Sequence, residues 1–194
     1  MMTFDRTGLA DRLSLLAQPR QAVFAAGCLE RSRPCVNAFA LRGREAETAL
    51  LNRALDDLWR TQVISLSSDE RDRIESYLET VEEENGDLRA AYLVDYLSAF
   101  FYVLDTSATQ AQRLANCAHA LRDAASYLDT QNSAGDPTFA ADEIGMQEQH
   151  LAMLDNGALS VSVVSDAIRE QSASAGQRIL AATEAAFARR TQRA

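Results

Sequence analysis

The chain contains no lysine: all 19 of its basic residues are arginine, set against 28 acids for a net charge of −9. With a pI near 4.7, it lacks the basic footprint that binding to a phosphate backbone requires, so no nucleic-acid partner is expected. The same balance favours solubility and a basic partner. Proline occurs three times and glycine eight times in 194 residues. Ala, Leu, Arg, Glu and Gln are abundant instead, the composition of a helical protein with almost no sheet. Cys28, Cys35 and Cys117 make an odd count with no Cys-x-x-Cys pair, which points to a reducing cytoplasm. The opening MMTFDRTGLADRLSLLA is broken by Asp5 and Asp11, so it does not read as a signal peptide. The most apolar segment has fifteen positions, 90–104, where a membrane span needs about twenty, so no membrane partner is expected.

Capping residues and apolar periodicity divide what is present into about eight helices in a single all-α domain spanning 1–194. A short helix is expected over Arg6 to Ala17. A second begins at Pro19 and is ended by Pro34, followed by a turn of helix from Asn37 to Leu41 that Gly43 closes. From Glu45, the residues Leu51, Ala54, Leu55, Leu58 and Trp59 form one apolar stripe. Ser67 with Glu70 has capping-box spacing and opens a helix through Val81, which EEENGD ends in solvent; Ser107 with Gln110 resembles a second box, opening a helix to about Asp129. A loop is expected over residues 130–142, then helices from Glu143 to Leu154 and from Ser162 to about Arg190.

Between the two boxes, residues 90–104 carry apolar side chains at 92, 96, 99 and 103 and again at 93, 97, 100 and 104. These read as two opposing hydrophobic faces of a helix covered on most sides. Asp95 lies in its middle. An unpaired buried carboxylate is costly, so Asp95 is expected to act as an internal tie, bonded to Tyr92, Tyr96, Trp59, His119 or an arginine of the second helix.

Few chemistries fit the remaining pattern. Asn116 and Gln147 stand three residues before His119 and His150, so the Glu-x-x-His pairs of di-iron bundles are absent. Glu79 and Glu82 supply half of a carboxylate set for magnesium, but no second half follows on a neighbouring helix. The glycines are dispersed, so there is no phosphate loop, and Cys28 and Cys117 fall on apolar faces as small buried hydrophobes. No catalytic residue, cofactor or metal ligand is therefore assigned.

The stretches FAAGCLERSRP (24–34) and LNRALDDLWR (51–60), with Phe39 between them, resemble the signature of the YjaG-like proteins, a bacterial family of unknown function. Phe24, Ala26, Glu30, Arg31, Pro34, Phe39, Leu55, Asp56 and Trp59 match it. AYLVDYLSAF, with Asp95, and DEIGMQEQHLAML resemble two later helices of the family. Cys35 and Val36 depart from its usual Asn-Tyr. The resemblance implies an all-helical fold and marks Glu30, Arg31, Asp56, Trp59 and Asp95 as a candidate structural or ligand cluster. Within it, Arg31 is expected to span helices to a carboxylate such as Asp56 or Asp95.

The functional expectation is a cytoplasmic, non-enzymatic protein that binds another protein, most concretely an immunity-type inhibitor of a basic toxin. The alternatives are a small-molecule or metal-dependent enzyme built on Asp95, Glu30 and Arg31, and a homo-oligomeric scaffold.

Overall fold

A computed structural model of the chain describes residues 5–83, 88–104, 109–131 and 138–191. Among the described residues there are eight helices and no strand: α1 (Arg6–Ser14), α2 (Gln18–Phe39), α3 (Glu45–Thr61), α4 (Ser68–Glu83), α5 (Leu88–Leu104), α6 (Gln110–Gln131), α7 (Phe139–Asp155) and α8 (Val161–Thr191). None of these is long and apolar enough to cross a membrane. The all-α bundle read from composition is the observed architecture.

Local chemistry sets most of the boundaries. The Ser67 box is made reciprocally, with Ser67 N donating to Glu70 Oε2 at 2.9 Å and Glu70 N to Ser67 Oγ at 3.3 Å. Gly43 adopts a left-handed φ of 84° between α2 and α3. Ser107 lies outside the described residues; the described cap of α6 is Thr109, whose Oγ1 accepts from Gln112 N at 3.3 Å. Much of EEENGD also lies outside them.

Three expectations are corrected. Helix α2 runs through Pro34 instead of stopping there, because the long helix α8 packs directly on that segment. A Cβ on Gly176 would come within 2.6 Å of the Arg31 carbonyl and 3.0 Å of Pro34 Cδ. Helix α7 starts a turn before Glu143, inside the expected loop: the Asp129 carboxylate of α6 accepts from Phe139 N and Ala140 N at 2.9 and 3.0 Å, capping it from a different helix. On α5 the two apolar rows are adjacent, since residues one apart lie about 100° apart. Tyr92, Leu93, Tyr96, Leu97, Ala99, Phe100 and Leu104 fill one broad buried arc, and Asp95 is half-buried beside it.

The core is continuous from α1 to α8, with Phe24, Leu29, Leu51, Leu55, Leu97 and Ile168 fully enclosed. Helix α2 runs through its centre. It buries Arg31 as well as apolar residues, and that charge organises the polar interior.

Candidate functional site

On α2, Glu30 and Arg33 are i and i+3, so they share a face, whereas Arg31 points elsewhere. The shared face meets α3. Trp59 Nε1 donates to Glu30 Oε2 at 2.7 Å, Arg33 lies 3.3 Å from the same oxygen, and Arg33 Nη2 pairs with Asp56 Oδ1 at 2.8 Å. From α8, Arg169 reaches Asp56 at 3.3 Å and stands over the Trp59 ring at 5.7 Å. Glu30, Asp56 and Trp59 are thus brought together, with Arg33, not Arg31, as the arginine that joins them. Asp56 is solvent-exposed, so its ion pairs contribute little individually.

Arg31 is 1% exposed and bonds across the core to α7. Its Nε donates to Glu143 Oε2 at 2.7 Å and its Nη2 to Glu143 Oε1 at 2.5 Å, a bidentate pair. Nη1 donates to the Gly27 carbonyl at 2.9 Å, and Nη2 contacts Cys28 Sγ at 3.4 Å. Gln147 closes the network, donating to Glu143 Oε1 at 2.7 Å and to the Ala118 carbonyl of α6 at 3.0 Å. Burial opposes the charge on Arg31, but Glu143 and Cys28 together outweigh it and hold the guanidinium above its ordinary range. Cys28 is held below the usual thiol value despite its burial, because the Cys117 thiol and Arg31 stabilise its thiolate.

His150 packs against this pair, with Nδ1 3.4 Å from Arg31 Nη1. Arginine only donates, so Nδ1 is the accepting nitrogen. Burial and then the neighbouring guanidinium push the His150 pKa from 6.5 down to about 3, so the ring is neutral. Gly27 exists to admit it: a Cβ there would meet Ile168 Cγ2 at 2.7 Å and His150 Nδ1 at 3.2 Å. The network fills most of the space between α2, α6 and α7; Arg31 and Glu143 border a small crevice of about 40 Å³ shared with Phe139, Asp142, Met146 and Arg178.

Asp95 is not part of this network. None of the partners expected for it, Tyr92, Tyr96, Trp59, His119 or an α2 arginine, bonds to it among the described residues. Burial, and secondarily the like charge of Asp123 on α6, raise its pKa from 3.8 to about 6. The folded protein therefore holds the Asp95 proton more tightly than the unfolded chain does, and stability from this group falls as pH rises from about 4 to about 6. Asp95→Asn is expected to raise Tm at pH 7.5 by a few degrees, with the gain gone at pH 4. Thermal scans of both proteins at the two pH values check this, and a variant that melts earlier at pH 7.5 contradicts it.

A second constellation escaped the sequence reading. At the end of the bundle where α2, α4 and α6 begin and α3 and α5 finish, a cleft of about 220 Å³ opens. Ala22, Ala25, Leu58 and Leu114 form its buried floor; Arg71, Arg113 and three glutamines lie around it. Arg71 follows the Ser67 cap by four residues, and Arg113 follows Thr109 by four; their backbone N–H groups bond to those residues' carbonyls at 3.1 and 3.0 Å. This recurrence, a hydroxyl residue then Arg at the fourth place, is the signal that could have found the cleft. Among the described residues, no three His, Cys, Asp or Glu side chains are grouped to hold a metal.

Among the described residues, the fold and site define a bundle of eight helices with an ionic interior and a cleft lined by Arg71 and Arg113. No protein-family model, curated protein or solved structure matches the chain.

Proposed function

We propose that the protein acts by binding a basic protein partner, in the manner of an immunity-type inhibitor of a basic toxin. The observation that carries this reading is the solvent face of α4. Asp72, Glu75 and Glu79 lie there at i, i+3 and i+7, exposed and without a cationic partner among the described residues. By contrast, Asp56, Asp57, Asp123 and Glu148 on other helices, and Glu70 at the start of α4, are each paired with arginine, while Asp166 and Glu170 of α8 are exposed without a pair among the described residues. Like charges spaced this way repel one another by a few tenths of a kcal/mol per pair, which a basic surface would relieve.

The tagged chain, recovered from its native host at about 50 mM salt, is expected to bring a basic protein that is released at about 500 mM. The neutralised variant D72N/E75Q/E79Q is expected to associate with that protein at least about tenfold more slowly. Recovery of the chain alone, or of a partner indifferent to both salt and the triple substitution, contradicts the reading. We also propose membership of the YjaG-like family and a cytoplasmic setting. The first is supported by Glu30, Asp56 and Trp59 joining at one helix contact. The second is supported by three buried free thiols.

A further inference from the structure

We infer that the cleft between the starts of α2, α4 and α6 is a binding site for a small carboxylate with an apolar body, of the class of a medium-chain fatty acid. Its described lining holds Arg71 and no carboxylate, in a chain whose net charge is −9; Arg113, also in the lining, is already engaged, in part with the Val103 carbonyl at 3.4 Å. Two helix N-termini add to that field, Gln18 and Gln110 being the first residues of α2 and α6, whereas the first turn of α4, which carries Arg71, also carries Asp69 and Glu70. Cations there run against the helix dipole, which an anion in the cleft would satisfy together with the arginines. Arg71 donates only to the Leu104 carbonyl, at 3.4 Å, and has no ion pair among the described residues.

The body of the ligand follows from the floor and the rim. Leu58, Leu114, Ala22 and Ala25 offer no polar group beneath the arginines, so a fully polar anion such as phosphate would leave the floor unmatched. The volume is below the roughly 300–1,000 Å³ of drug-sized pockets, which restricts the body to a short chain or single ring. The rim is apolar as well: Val63, 57% exposed, borders the cleft together with Ile64 and Val103. Gln62, also in the lining, is the one non-glycine residue with a left-handed φ, 58°, among the described residues. It turns the chain out of α3 so that Val63 and Ile64 form a wall. The inference stands apart from the partner reading, because no protein is needed to test it.

The test is calorimetric titration of the full chain with octanoate and with octanamide, its uncharged equivalent. Octanoate is expected to bind with a Kd of about 0.1–1 mM, and octanamide at least about tenfold more weakly. Arg71→Gln and Val63→Asp change exposed residues, so the fold is kept; each is expected to weaken octanoate at least about tenfold, Val63→Asp by placing a carboxylate at the mouth. Equal affinity for acid and amide, absence of octanoate binding at about 10 mM, or octanoate affinity unchanged in both variants overturns the inference.

Discussion

Glu143→Ala is expected to lower the unfolding free energy by about 3–5 kcal/mol, the largest effect of any single polar substitution in this chain. The reason lies in what stays behind. Arg31 remains in the core with 1% of its surface exposed, and its two strongest bonds, 2.7 and 2.5 Å to the carboxylate, have no replacement. The Gly27 carbonyl and the Cys28 sulfur satisfy two of its donors without neutralising its charge. Gln147 loses one acceptor but keeps the Ala118 carbonyl, so the damage centres on the guanidinium. Urea unfolding checks it: the midpoint falls sharply while the slope stays that of the wild type. A loss below about 1 kcal/mol would mean that Arg31 finds water or another anion, and the network would not be a tie.

Gly176→Ala separates helix propensity from packing, because the two predict opposite signs. Within a helix, alanine is favoured over glycine by about 1 kcal/mol. At Gly176, however, the new methyl would sit 2.6 Å from the Arg31 carbonyl and about as close to the Pro34 ring, at 3.0 and 3.1 Å. A backbone carbonyl cannot rotate away, so α8 must lift from α2. Overpacking of this kind costs about 1–3 kcal/mol, and displacement of Arg31 adds to it. A net loss of about 2 kcal/mol is expected, or a fall in Tm of roughly 4–8 °C for a chain of this size. Gly145 is the control: it is helical, and a methyl group added there would meet nothing within 4 Å. Gly145→Ala is expected to stabilise by about 1 kcal/mol. Two changes of the same sign contradict this account of the α2–α8 contact.

Helix number and most boundaries were legible in the sequence because they depend on residues a few places apart. The Ser67 box, Gly43 and the α3 stripe are all of this kind. The failures involve partners distant in the chain. Pro34 reads as a stop by local rules, but α8 lies against it. The cap of α7 is ten residues back, on α6, where no local pattern reveals it. The candidate cluster was half legible: Glu30, Asp56 and Trp59 meet, but through Arg33, and Asp95 stands apart beside Asp123. Glu143 was passed over for a related reason. Hydrophobicity pointed to α5 as the place where a carboxylate would be buried, yet the buried carboxylates are Glu30 of α2, Glu47 of α3 and Glu143 of α7, all helices of mixed composition. The two cleft arginines lie on separate helices, and only the fold shows that both helices begin at the same end.

The central claim is that Arg31 and Glu143 form the internal ionic tie, leaving binding to the exterior. A pair of double-mutant cycles in urea tests it most directly, one crossing Arg31→Met with Glu143→Leu and the other crossing Arg31→Met with Asp95→Asn. The account predicts a coupling of about 2 kcal/mol or more in the first cycle, with the double variant recovering much of the stability lost in either single one, and additivity within about 0.5 kcal/mol in the second. Additivity in the first cycle, or strong coupling between Arg31 and Asp95, would contradict it.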